Sequence, residues 1–186
     1  MKYGRKSVFL FTVFVVLGVF VVTMPAAAGN LYLGAGIQSN SLRGDLKAGS
    51  TGNHDSALGG NAIVGYRLSK KTAIDVVYGT SKHDEKTAGT ESTFTWIEAG
   101  PKFFFNTDST IQPYLTVGGG TYKIEINNVE YEGPGGFVGA GIEERGGRNH
   151  VVGIYFRASF WSDDSPNLSG STLSGGLNYN YYFGGF

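Results

Sequence analysis

The sequence predicts an all-β protein, an eight-stranded antiparallel up-and-down barrel that crosses a membrane and is preceded by a cleavable signal peptide. Three observations carry that expectation. Apolar residues alternate with polar or small ones at period two in eight segments. The connections between those segments alternate in length, and the non-apolar face is too poor in charge to be a solvated surface. No window in the region after residue 28 places apolar residues at i, i+3, i+4 and i+7 between caps, so helices are not expected there.

Composition sets the outer bounds. A chain of 186 residues fits one domain, and 15 Lys+Arg against 15 Asp+Glu supply no basic face for nucleic acid. The absence of cysteine excludes a disulfide framework and a thiolate metal site. Thirty glycines far exceed the usual share of roughly 7%, without a collagen triplet or a long Ser/Pro tract. They must therefore sit inside a packed architecture.

Residues 1–28 read as the signal peptide. Lys2, Arg5 and Lys6 form a charged start, an apolar run spans 8–22, and Pro25 precedes Ala26, Ala27 and Ala28 in an A-x-A pattern. The run falls short of the roughly 20 residues of a spanning helix, so cleavage after Ala28 is expected. Residues 29–186 then form the barrel domain. Losing the three cations leaves 12 basic against 15 acidic residues, a slightly acidic exported chain.

The strands follow in order, each with side chains pointing alternately to two faces. In the first, Leu31, Leu33, Ala35 and Ile37 oppose Tyr32, Gly34, Gly36 and Gln38. In the second, Ala62, Val64, Tyr66 and Leu68 oppose Asn61, Gly65 and Arg67, with Ile63 breaking the polar side. The third sets Ile74, Val76 and Tyr78 against Ala73, Asp75 and Gly79, with Val77 as the exception. The fourth sets Ile97, Ala99, Phe103 and Phe105 against Glu98, Gly100 and Lys102, and Trp96 falls with the polar set. Two glycine-rich segments come next: Leu115 and Val117 oppose Tyr114, Thr116, Gly118 and Gly120, and Val138, Ala140 and Ile142 oppose Phe137, Gly139 and Gly141. The seventh sets Val152, Ile154, Phe156, Ala158 and Phe160 against Gly153, Tyr155, Arg157 and Ser159. In 171–183 the odd positions Leu173, Leu177, Tyr179, Tyr181 and Phe183 oppose Thr172, Ser174, Asn178, Asn180 and Tyr182.

The expected connections are 41–57, 69–71, 82–91, 106–110, 125–134, 144–149 and 162–170, long and short in turn. A meander puts successive connections at opposite ends, so one end carries the long polar loops. Proline cannot donate to a ladder, and a bulge is expected at Pro101.

Two all-β readings differ in which face points inward. A soluble barrel fills its interior with the apolar face, whereas a membrane barrel turns that face to lipid. The other face here is mostly Gly, Tyr, Asn and Ser, which suits the crowded inside of an eight-stranded barrel, with glycines making room for Tyr32, Tyr155 and Tyr182. Aromatics favour the membrane reading too. Tyr66, Phe103, Phe105, Tyr181 and Phe183 fall at the short-turn end, with Tyr78 and Phe160 toward the other, as two interfacial girdles would.

The signal peptide, the eight alternating strands and a final strand reading Leu177-Asn178-Tyr179-Asn180-Tyr181-Tyr182-Phe183 resemble the small Gram-negative outer-membrane barrels. These include the outer membrane protein A transmembrane domain and the X-type and W-type proteins. Gln112-Pro113-Tyr114-Leu115-Thr116-Val117-Gly118-Gly119-Gly120 and Val138-Gly139-Ala140-Gly141-Ile142 are similar to strands of that superfamily. The resemblance implies the cell outer membrane, with lipid and lipopolysaccharide as surroundings and periplasmic chaperones and the barrel assembly machinery as partners. It also implies an assembly signal in the last strand, here Tyr179, Tyr181, Phe183 and the terminal Phe186, which Gly184 and Gly185 put out of phase.

The inward set carries Arg67, Asp75, Glu98, Lys102, Glu143, Arg145 and Arg157, charges of both signs. Charges taken from water need partners, so an ion-pair network sealing a narrow lumen is expected over a wide pore. Catalytic signals are weak. His54-Asp55-Ser56, His83-Asp84 and Asp163-Asp164 sit in expected loops, and there is no H-x-S, phosphate-loop or H-E-x-x-H arrangement. Gly34-x-Gly36 and Gly139-x-Gly141 lack the helix of a dinucleotide site. No cofactor is expected. The expectation is a structural or surface-interaction protein, serving adhesion or envelope integrity through long extracellular loops that meet a surface ligand. The alternatives are a narrow channel for ions or small apolar solutes and a lipid A-modifying enzyme.

Overall fold

The computed structural model describes residues 31–46, 56–84, 91–126, 129–162 and 168–184. The export segment with its expected cleavage point, His54, Asp163, Asp164 and Phe186 lie outside them. Eight strands follow in chain order: β1 (Leu31–Leu46), β2 (Ala57–Arg67), β3 (Thr72–Asp84), β4 (Glu91–Phe104), β5 (Ile111–Ile126), β6 (Val129–Arg145), β7 (His150–Ser162) and β8 (Leu168–Tyr182). Each pairs antiparallel with its sequence neighbour, and β8 pairs with β1 from Tyr32↔Tyr182 to Leu46↔Leu168, closing the barrel. A bond from Phe183 N–H to Leu31 O (3.0 Å) completes the seam at one rim.

The alternation read from the sequence is the inside–outside division of the wall. Leu33, Ile37, Val64, Leu115, Ile154, Phe156, Leu173 and Leu177 are exposed on the outer face, while Tyr32, Arg67, Asp75, Glu98, Lys102 and Glu143 are buried inside. Ile63, Val77 and Trp96, the exceptions to the apolar stripe, point inward and are buried. Among the described residues, outward positions between the two rims carry no Asp, Glu, Lys or Arg. Charges resume at Lys70, Lys71, Asp108, Glu144 and Arg148 at one end and at Arg43, Lys82, Glu91, Lys123 and Glu132 at the other. On β5 the uncharged outward set runs from Ile111 to Thr121, the length of roughly 9–11 residues that crosses hydrocarbon at a tilt.

The short-turn end is built by tight backbone bonding. Leu68 and Ser69 N–H both reach Thr72 O (2.9 and 3.1 Å), Asn106 adopts a φ of 54° and Gly147 one of 96°. Those left-handed positions suit asparagine and glycine and reverse the chain within a few residues. In membrane barrels short turns lie on the periplasmic side.

Two expectations are corrected. The connection expected at 125–134 is mostly strand: β5 continues to Ile126, β6 starts at Val129, and only 127–128 lie between. Ile124 and Tyr131 keep the inward alternation there while Glu125, Glu130 and Glu132 on the outward face make the stretch look like a loop. The connections expected at 41–57, 82–91 and 162–170 shorten for the same reason, since β1, β3 and β8 run on beyond the lipid band. Nor is there a bulge at Pro101. Pairing with β5 lapses between Ala99↔Gly119 and Lys102↔Thr116, yet the register is the same on both sides, and Ile74↔Pro101 keeps the β3 ladder whole. A missing donor there costs rungs on one side only, and Thr116 Oγ1 donates to Pro101 O (3.0 Å) across the gap.

Inward glycines lie opposite bulky inward residues on the adjacent strand. A Cβ at Gly65 would overlap the Tyr32 ring, one at Gly79 or Gly170 the indole of Trp96 or Trp161, and one at Gly118 or Gly141 the ring of Phe137 or Tyr114. The glycine content is thus the complement of the lumen's aromatic volume.

Candidate functional site: the barrel lumen

The polar interior is layered from the periplasmic mouth upward. At the mouth, Arg67 at the end of β2 donates through Nη2 to Lys70 O (2.6 Å) and through Nε to Ser69 O (3.2 Å), and its guanidinium stacks 4.1 Å from the Phe104 ring centre. Arg67 and Arg145 both donate to Gln112 Oε1, at 3.0 and 3.2 Å. Gln112 Nε2 in turn donates to Thr107 O (2.8 Å) in a periplasmic turn.

Above the mouth sits an ionic trio. Lys102 Nζ bridges Asp75 Oδ2 (2.7 Å) and Glu143 Oε1 (3.0 Å), and the Tyr32 hydroxyl donates to the other Asp75 oxygen. All are buried, with Lys102 at 3% and Glu143 at 1% exposure. Two carboxylates around one ammonium, with a phenol on the spare oxygen, meet the requirement that buried charge be paired and hydrogen-bonded.

A second group centres on Glu98. Its Oε1 accepts from the Tyr122 hydroxyl (2.7 Å) and Ser159 Oγ (2.8 Å), and its Oε2 is paired with Arg157 Nη1. Beside it Asn61 Nδ2 donates to Gln38 Oε1 (2.9 Å) and to the Tyr155 hydroxyl oxygen (2.7 Å), joining β1, β2 and β7. An apolar cap of Leu42, Phe94, Trp96, Tyr122, Ile124 and Trp161 closes the extracellular half. Phe94 stacks 5.2 Å from Trp96 and 6.2 Å from Tyr122. The space between the cap and Glu98, bordered by Gln38, Arg157, Ser159 and Ser174, has no room for a water molecule.

Of the seven charged residues expected in the lumen network, five enter ion pairs, as Lys102 with Asp75 and Glu143 and Arg157 with Glu98. Arg67 and Arg145 are placed together at the mouth. Sequence reasoning missed Gln112, Gln38 and the cap residues Leu42, Phe94 and Ile124. Gln112 and Gln38 carried a parity signal but no charge, and Leu42 fell in an expected loop. Tyr66, Phe103, Phe105, Tyr181 and Phe183 lie on the outward side at the short-turn end, with Tyr78 and Phe160 outward in the other half. Tyr181 meets Phe183 edge to face at 5.5 Å. His83 is buried inside with Ser81 Oγ 2.9 Å from Nε2, and His150 lies outside with Nδ1 2.6 Å from the Tyr179 hydroxyl.

Residues 12–181 match the family described as the outer membrane protein beta-barrel domain. The chain belongs to that family. It is an eight-stranded barrel of the cell outer membrane. Solved structures share the fold. Neisserial surface protein A matches at 18% identity with a TM-score of 0.64, covering 80% of this chain and 95% of that one. Ail, the attachment invasion locus protein of Yersinia pestis, solved with the heparin analogue sucrose octasulfate, matches at 17% with a TM-score of 0.54, covering 82% and 99%. OprG of Pseudomonas aeruginosa matches at 13% with a TM-score of 0.51, covering 83% and 96%. No curated relative matches in sequence.

Proposed function

We propose that this barrel serves the cell surface as a structural and surface-interaction protein whose working face is the strand extension above the lipid band, not its lumen. The filled interior is the observation that supports this reading: two ion-pair groups and an apolar cap occupy the bore, and the space between the cap and Glu98 has no room for a water molecule. Hydrophobic constrictions exclude ions by dewetting, so a narrow channel is the weaker reading. A lipid-modifying activity is weaker still, because the Ser81–His83 contact is enclosed in the wall, with His83 at 0% exposure.

The extension itself has a sign. On the outward face of β3 to β6 above the band, Lys82 and Lys123 stand against Glu91, Glu125, Glu130 and Glu132. Glu125 lies directly opposite Glu130, and Lys123 Nζ pairs with Glu130 Oε1 at 2.5 Å. That hydrogen bond holds the Lys123 ammonium above its ordinary pKa. Like charges facing each other across strands are unfavourable, so a cationic partner is accommodated better than a sulfated one of the kind in the Ail structure. Lipopolysaccharide around the band and the chaperone and assembly factors on the way to it complete the expected partners.

The test has two arms. Planar-bilayer recording of the refolded barrel should show no steady conductance. Cells displaying the barrel should retain a cationic polypeptide such as polylysine over heparin, and lose that retention when Glu125, Glu130 and Glu132 are replaced by Gln. A stable ohmic current, or a preference for heparin, would refute the proposal.

A further inference from the structure

Within the lipid band the wall is closed, but above it one seam ends early. The ladder of β6 with β5 runs unbroken from Ile126↔Val129 to Ile111↔Glu144, whereas its ladder with β7 begins only at Gly135↔Trp161. Among the described residues, 129–134 therefore have a partner strand on one side alone. β7 itself goes one residue further, yet Ser162 pairs with Ser169 of β8 and not with Pro134. Pro134 lies opposite Thr121, at the top of the uncharged band, so this edge stands in water.

Parity decides which groups the edge presents. The Arg145 N–H donates to Thr110 O on the β5 side (3.0 Å). In an antiparallel ladder the bonding direction alternates from residue to residue, so odd positions of β6 bond to β5 and even positions turn away from it. The N–H and C=O of Glu130 and Glu132 thus point off the edge, with the Pro134 C=O beside them. The hairpin that carries them is held in place, because Ile126 and Tyr131 pack against the apolar cap. A row of backbone groups on a fixed strand is a template for one more strand.

Charge selects what that strand can be. The side chains of Glu130 and Glu132 lie on the outer face with Glu125, and among the described residues the hairpin sets one cation against them, Lys123. Residues directly opposite each other on neighbouring strands are close enough for like charges to repel. Continuing the β7 ladder in register would put Asp164 against Glu132, and the same edge of a second copy would bring glutamates against glutamates. A strand with Lys or Arg at alternate positions meets neither obstacle. Added antiparallel, as every pair in this wall is, it makes both matches at the same residues: the one opposite each glutamate exchanges both backbone bonds with it and shares its face.

Resting on the acidic-face reading above, we infer that the upper edge of β6 captures an extended polypeptide segment by antiparallel strand addition, with basic residues two apart opposite Glu130 and Glu132. The backbone supplies affinity, and the glutamates supply the choice of sequence.

The experiment uses the full mature barrel refolded in neutral maltoside micelles and two labelled peptides in which Lys and Val alternate. One is N-methylated on the backbone of its valines, the other on that of its lysines, so charge and composition are equal. The valine-methylated peptide should bind and should protect the Glu130 and Glu132 amides from hydrogen exchange. The lysine-methylated one, which lacks the donors that face the edge, should bind about tenfold more weakly. Glu132→Pro removes an edge donor without touching the β5 ladder, and should bind the valine-methylated peptide about fivefold more weakly than Glu132→Gln, which loses only the charge. Should Glu132→Pro not fold, the two peptides on the parent barrel decide alone. Equal binding of both peptides, equal affinity of the two folded variants, or retention of polylysine with neither peptide bound would overturn strand addition and leave the acidic-face reading standing. Failure to hold polylysine as well would overturn both.

Discussion

The two halves of the lumen both carry buried apolar clusters, but only the periplasmic one is built around an ionic trio. In the periplasmic half Lys102 lies between Asp75 and Glu143, above a mouth of arginines and among the apolar Phe104, Tyr114, Val151 and Tyr182. The extracellular half is held by volume, with Phe94, Trp96, Tyr122 and Trp161 packed together and the two indoles flat against Gly79 and Gly170. Each closure fails differently. An ionic closure fails when one member is lost and the others are left charged in low dielectric, whereas an aromatic closure fails in proportion to the space opened.

The largest effect should therefore come from Lys102→Met, which leaves two buried carboxylates without their cation and costs about 3–5 kcal/mol in urea unfolding of the refolded barrel. Adding Asp75→Asn and Glu143→Gln to that variant should return most of the loss. If the triple variant is as weak as the single one, charge is not what closes this half. Trp161→Ala should come next at about 3 kcal/mol, from the cavity under Leu42 and Phe94, and no charge substitution should restore it. Its counterpart Gly170→Val, which drives a side chain into the indole, should cost about 1–3 kcal/mol and should be eased by Trp161→Phe. A smaller loss of about 1–2 kcal/mol is expected for Glu98→Gln, which keeps acceptors for Tyr122 and Ser159 but leaves partly exposed Arg157 without its counter-charge. At the bottom of the scale, Lys123→Gln on the exposed extension should leave the urea midpoint unchanged at neutral pH. Because a raised lysine pKa stabilises only below the range where the amine titrates, even that pair's contribution would fade solely in strong alkali.

What the sequence made legible follows the same divide. The wall was readable because period-two alternation is a local signal, so inward Arg67, Asp75, Glu98, Lys102, Glu143, Arg145 and Arg157 could be named from parity alone. Which of them meet was not. Lys102 and Glu143 are 41 residues apart and Arg157 and Glu98 are 59 apart, on strands that do not neighbour each other in the wall, so the pairing depends on closure and tilt. The cap was obscured for another reason. Leu42 belongs to a strand end where the outward face has already turned polar, so its stretch looked like a loop, and Ile124 stands just before another such stretch, next to Glu125. At Pro101 the local rule about a missing donor held, but the ladder absorbed the loss by skipping rungs without shifting register.

The glycine sockets also bear on how the barrel reaches its final pairing. Each ring rests on a glycine at the directly opposite rung of the adjacent strand: Tyr32 on Gly65, Trp96 on Gly79, Tyr114 on Gly141 and Trp161 on Gly170. A slip of two residues would keep every side chain on its proper face and so go undetected by polarity. It would, however, set Tyr32 against Ile63 or Arg67, and Trp96 against Val77 or Ser81, where no such recess exists. The sockets thus act as alignment pins, spread over seams all round the wall, that make a misthreaded barrel collide with itself.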